Sequence, residues 1–173
     1  KIFCIQMRLE EFEILTRDKV RTLIEAHKDD DPVQFALTHS NNVIPAALVS
    51  TQLKTLQKSK QKLPSWYQIN AIIPPLALEQ ASSEATASQK IYRGERLLDL
   101  TCGLGVDSYY LSKGFQETIA LEPNPVLAKI SRFNFSLLGK QTIEIKTTDA
   151  ATFLHQYQGQ SFDLIYVDPS RQD

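Results

Sequence analysis

The chain has 173 residues with 42% hydrophobic content, enough for one compact core or a core with a small appendage, and its formal net charge of −1 argues for no particular partner. No apolar run reaches membrane-spanning length, no His/Cys cluster has metal-ligand spacing, and no metal is expected. Cys4 and Cys102 are too few for a disulfide framework and the first residues lack a signal-peptide design, so a reducing, cytoplasmic setting is expected.

The character of the sequence changes near residue 90, which suggests a helical region over 1–90 and an α/β region over 91–173. In the first part, Leu9, Phe12, Val20, Leu23 and Ile24 fall at spacings that suit one or two amphipathic helices. Asp31-Pro32 reads as an N-cap followed by a first-turn proline, opening a helix through Phe35 and Leu37. Pro45 starts another helix, which carries Leu48, Leu53 and Leu56 and is broken by Leu63-Pro64-Ser65-Trp66. Pro74-Pro75 then launches a helix from Leu76 to about Tyr92, rich in Ala, Gln, Glu and Ser.

After residue 95 strand and helix alternate: strands over 96–100, 117–122, 142–147 and 162–168, helices over 106–113, 125–138 and 150–158. Such β-α-β-α-β-α-β order predicts right-handed crossovers and a parallel sheet. The fourth strand, Phe162 to Asp168, is nearly all apolar between its two acids, as for a strand covered on both faces. A sheet of this kind normally continues, so further strands are expected beyond Asp173; without them an open edge remains for pairing, including with a second copy.

The most informative stretch is Leu97-Leu98-Asp99-Leu100-Thr101-Cys102-Gly103-Leu104-Gly105-Val106-Asp107. An apolar strand ends in an acid, a glycine-spaced turn follows, and a helix opens. Gly103 and Gly105 let the backbone approach a ligand, and N–H groups at the helix start suit a carboxylate. An acid placed before the glycines points to S-adenosyl-L-methionine, whose ammonium Asp99 could receive directly or through water. A dinucleotide fingerprint would require a third glycine where Ser108 stands, which weighs against an NAD-dependent oxidoreductase. An ordinary glycine-rich bend is the plainer alternative.

Three signals follow in order. Glu122 ends the second strand at close to the spacing of a ribose-binding acid, with Pro123 placed to wall an adenine. Asp149-Ala150 could hold the adenine edge, although Asp is equally a common N-cap. Asp168-Pro169-Ser170-Arg171 lies at the carboxyl end of a parallel strand, where open α/β sheets bind ligands. There Asp168 and the Pro169 carbonyl would flank the transferable methyl, and Arg171 could grip a substrate phosphate or stack on a base. Methyl transfer mainly requires an aligned nucleophile, so no obligatory base is read from the chain. Upstream, Gln80, Ser83, Glu84 and Ala87 share a helix face that could meet the methionyl end, and Lys54, Lys58, Lys60 and Lys62 near Trp66 and Tyr67 could touch RNA. Exposed polar helix faces account for both features as well.

With these residues in place the chain resembles a class I S-adenosylmethionine-dependent methyltransferase with a Rossmann-like core, over about residues 95–171. More closely, it is similar to a bacterial family best represented in Bacteroidetes, with a helical N-terminal region, this core and THUMP-like C-terminal parts. The shared stretches are Lys62 to Trp66, Glu79 to Ala87, Leu98 to Ser108 and Asp168 to Arg171. The family pattern has alanine at Ser170 and a second arginine at Gln172, which weakens a doubly basic phosphate grip. The resemblance implies RNA modification, with Asp168, Pro169 and Arg171 at the chemistry. The cofactor would be held by Asp99, Thr101, Gly103, Gly105, Asp107, Glu122, Pro123, Asp149, Ala150 and Asp168. A non-catalytic module that binds cofactor or a partner is the alternative of another class.

Overall fold

The computed structural model of the protein describes residues 7–40, 44–140 and 142–168. The chain divides into two compact units, Lys1–Glu79 and Gln80–Asp173. The first is helical. Its opening helices are α1 (Leu9–Leu15) and α2 (Asp18–His27). Asp31 caps α3 (Pro32–Thr38) by accepting the Val33 N–H at 2.8 Å, with Pro32 in the first turn. The longest helix, α4 (Ala46–Lys62), turns Val49, Leu53 and Leu56 inward at helical spacing, and all three are fully buried.

Leu63-Pro64 ends α4 as expected, but Pro64 also opens a short helix, α5 (Pro64–Gln68), which buries Trp66 and Tyr67. Buried Gln52 reaches the extended segment beyond it. Its amide donates to the Ala71 carbonyl at 2.8 Å and accepts from the Ile73 N–H at 3.4 Å. Each polar group of this buried side chain thereby has a backbone partner.

The single helix expected from Leu76 to Tyr92 does not form. In its place stand α6 (Pro75–Gln80) and α7 (Glu84–Ala87). The cause is Ser83, whose hydroxyl accepts the Thr86 N–H at 3.1 Å and caps a new helix. Serine competes with the helical ladder in this way, and good helix formers on either side do not prevent it. Residues 80–90 lie with the sheet unit, where Ser82 and Lys90 bond Asp107 and Glu84 bonds Tyr110.

The second unit is an α/β fold with a Rossmann-like core. Strands β1 (Gly94–Asp99), β2 (Phe115–Leu121), β3 (Ile143–Lys146) and β4 (Leu164–Tyr166) form one parallel sheet in the order β3-β2-β1-β4. Helices α8 (Val106–Leu111), α9 (Pro125–Leu137) and α10 (Ala150–Gln156) connect them, α8 running on into a 3-10 turn over Ser112–Gly114. Register sets Asp99 beside Ala120 of β2 and Tyr166 of β4, so the strand tips meet at one end. Leu98, Ile119, Leu121 and Phe153 form a core cluster beneath that end.

The central strands β1 and β2 are covered on both faces, with Leu97 and Leu98 of β1 and Thr118 to Leu121 of β2 all buried. Strand β4 pairs with β1 among the described residues, and Ile165 and Val167 are 50% and 55% exposed. Among the described residues no helix is long and apolar enough to cross a membrane.

Candidate active site

Asp99 is sealed beneath the loop that follows β1, with no exposed surface. One carboxylate oxygen accepts the Thr101 N–H at 2.8 Å and the Thr101 hydroxyl at 3.3 Å, and the other accepts the buried Ser108 hydroxyl. Burial pushes its pKa up to about 6, against the pull of those donors. In this structure Asp99 therefore holds the loop, and Ser108, where a dinucleotide fingerprint would need glycine, is one of its holding groups.

The two loop glycines do different things. Gly105 lies in the left-handed region at φ 84°, and a Cβ there would overlap the Phe135 ring. It is the packing glycine, where α8 starts against α9. Gly103 is also left-handed, at φ 55°, but a Cβ on it would meet nothing within 4 Å. Its outer side is open, which is what a backbone cradle for a ligand requires. The buried Ser131 hydroxyl fixes the loop from behind by donating to the Gly103 carbonyl at 2.8 Å. Cys102 is also buried, and burial pushes its thiol well above its usual range.

Glu122 comes to the same loop from β2. Its carboxylate accepts the Gly103 N–H at 3.1 Å and the Asn124 N–H at 2.8 Å. Burial raises its pKa, opposed by those two donors. A carboxylate has about four lone-pair sites, so two further donors can still be accepted. Pro123 is exposed beside it. Asp149 ends the turn after β3 and caps α10, accepting the Thr152 N–H at 2.8 Å and the Thr152 hydroxyl at 2.7 Å. Ala150 packs against the core cluster, while Asp149 remains exposed.

Beyond β4, the Asp168 N–H donates to the Thr101 hydroxyl oxygen at 2.8 Å. The tip of β4 is thus tied to the glycine loop through a residue that Asp99 already holds. Asp107, in the first turn of α8, accepts from Lys90 at 2.7 Å, from the Ser82 hydroxyl at 2.8 Å and from the Tyr166 hydroxyl at 3.1 Å. Lys90 also bonds the Tyr166 hydroxyl, which lies 3.4 Å from Asp168. Burial opposes the charge on Lys90, but its bonds to Asp107 and Tyr166 leave the pKa raised. Burial pushes the Tyr166 phenol up to about 12, so it stays neutral at ordinary pH.

Lys90, Ser82 and Tyr166 are not evident in the sequence. Tyr166 reads as one apolar residue of a strand and Lys90 as a lone cation in a connection. Of the expected site residues, the structure joins Asp99, Thr101, Gly103, Glu122 and Asp168 by direct hydrogen bonds; Gly105 and Asp107 lie in the same loop and turn. The Asp149 side chain makes its bonds within the first turn of α10. Pro169 and Arg171 lie outside the described residues. The upstream face is occupied structurally, since Glu84 is buried and accepts the Tyr110 hydroxyl at 2.6 Å. The lysine run is largely engaged too. Lys62 donates to the Leu78 and Glu79 carbonyls, Lys60 pairs with Asp29 at 3.0 Å, and Trp66 is fully buried.

Residues 80–172 match the model of the family described as Conserved hypothetical protein 95. The chain belongs to this family. The matched stretch contains the whole sheet and every candidate cofactor-binding and catalytic residue named above. A crystal structure of a proposed methyltransferase from Porphyromonas gingivalis W83 superposes with a TM-score of 0.77 at 32% identity, covering 95% of this chain and 42% of that one. Ribosomal RNA small subunit methyltransferase J from Legionella pneumophila is 34% identical over 83 residues, 44% of this chain and 34% of that protein. The protein of the same name from Bdellovibrio bacteriovorus is 35% identical over 78 residues, covering 43% and 31%. The chain thus spans about a third of the length of these curated relatives.

Proposed function

We propose that this chain carries the cofactor-binding part of an S-adenosylmethionine-dependent methyltransferase whose substrate is RNA. One observation carries the reading. The open glycine loop after β1, Glu122 from β2 and Asp168 from β4 meet at the carboxyl end of one parallel sheet, joined by the Gly103–Glu122 and Asp168–Thr101 bonds. The relatives named as ribosomal RNA methyltransferases support the choice of substrate.

The residues fit the cofactor. Glu122 keeps lone pairs for a ribose diol, the open side of Gly103 admits a chain against the backbone, and Asp149 with Ala150 stands at the next strand tip for the adenine edge. When bound, S-adenosylmethionine supplies an activated methyl group. The protein's part is alignment. Thr101 fixes the backbone of Asp168, and its carboxylate can accept the N–H of an amine nucleophile and direct the lone pair. Asp99, sealed below, acts through the loop.

Titration calorimetry of the intact protein with S-adenosylhomocysteine and NAD tests the cofactor. We expect binding of the first and none of the second. Glu122→Gln should weaken S-adenosylhomocysteine by about tenfold or more, because a neutral amide is a poorer acceptor for two hydroxyls. Tight NAD binding without a response to the homocysteine compound would overturn the assignment. Methyl transfer to total RNA against protein extract then tests the substrate.

A further inference from the structure

A second concave surface lies where the chain enters β1 and β2, at the end of the sheet away from the strand tips of the site. It is a groove of about 300 Å³ on the flank of the sheet unit, lined by Lys90, Ile91, Tyr92, Arg93, Tyr110 and Lys113, with no acidic side chain among its walls. Arg93 and Lys113 are exposed, and neither forms an ion pair among the described residues. Tyr92 is 52% exposed and Ile91 78% exposed, an unusual outlay of apolar surface next to two cations. The Lys113 ammonium sits 4.1 Å from the Tyr110 ring centroid and 4.7 Å from that of Tyr109.

The floor of the groove is tightly packed. Gly114 sits so close to the connection entering β1 that a Cβ on it would overlap the Tyr92 carbonyl oxygen. The Phe115 N–H closes the 3-10 turn beneath by bonding Ser112. One residue links groove and site: Lys90 lines the groove, while its ammonium bonds Asp107 and Tyr166, next to Asp168.

Exposed aromatic rings beside unpaired cations, without acids, suit a flexible polyanion that carries its own flat rings. A folded acidic protein would meet the cations but gain little from the bare ring of Tyr92. We infer that this groove holds a single-stranded segment of the RNA substrate a few nucleotides away from the modified one, with a base on Tyr92 and phosphates at Arg93 and Lys113. The inference rests on the RNA methyltransferase reading and adds where the strand runs.

The test is fluorescence anisotropy of a labelled single-stranded RNA dodecamer with the intact protein across a salt series. S-adenosylhomocysteine calorimetry on each variant serves as the control for the site. Arg93→Gln with Lys113→Gln should lower the slope of log affinity against log salt by about 1.4, for two lost phosphate contacts. Tyr92→Ala should weaken RNA about tenfold or more, and Tyr92→Phe should restore it. Cofactor affinity should hold in every variant. If the wild type binds RNA but these variants bind it equally well, the groove is wrong and the function stands. If the wild type binds S-adenosylhomocysteine but no RNA, both the substrate reading and the groove fall. If poly-glutamate displaces RNA at equal charge and Tyr92→Ala has no effect, the surface takes an acidic protein and the inference is overturned.

Discussion

At the scale of single residues, the loop after β1 separates holding from binding. Gly105 is left-handed and pressed on Phe135, whereas Gly103 is left-handed but open. Gly105→Ala should cost about 2 kcal/mol or more of stability, from backbone strain plus overlap. Gly103→Ala should cost about 1 kcal/mol, yet lose more in S-adenosylhomocysteine affinity, since its Cβ points where the ligand would lie. Urea unfolding and calorimetry on the two variants check this division. Asp99 makes a prediction in pH. Burial raises its pKa from 3.8 to about 6, so the folded state favours the protonated acid. The stabilisation is fully present below about pH 4 and is lost as pH rises through about 6. Asp99→Asn, which cannot ionise, should flatten that slope in unfolding free energies measured at pH 4.5 and 7.5. An acid at the strand tip was legible in the sequence because a charge interrupting an apolar run needs a reason. Its burial under Ser108 was not, since that depends on a helix folding back over it.

At the scale of elements, periodicity and caps carried most of the reading. Asp31-Pro32 and Pro45 each mark a helix start, and the alternating second half delivers a parallel sheet. Failures occur where a local competitor or a long-range neighbour decides. Ser83 splits an Ala- and Glu-rich segment, and Pro64, read as a breaker, also starts α5. Ser83→Ala should cost about 1 kcal/mol and loosen the Ser82–Asp107 contact, a loss that urea unfolding would show. Ser82 and Asp107 could not be paired from the sequence, because a side chain's neighbours are set by folds that the local sequence does not name. Lys90 and Tyr166 escaped for the same reason. They are 76 positions apart, and only the sheet order brings them together.

At the scale of the whole molecule, the two units differ in how local their contacts are. The helical unit is built largely from segments close in sequence, while the sheet joins β1 to β4 across more than sixty residues. The glycine loop depends on that long closure: the Leu100 N–H donates to the Tyr166 carbonyl at 2.9 Å, and Thr101 receives the Asp168 N–H. A chain ended before Leu164 should therefore keep helical amides protected against hydrogen exchange over α4 while those of Leu97 to Leu100 exchange fast. The order of strands also bears on birth at the ribosome. The loop that would hold the cofactor emerges early, but its bonds to Tyr166 and Asp168 form only once β4 has been made, so a nascent chain is expected to bind no cofactor before then.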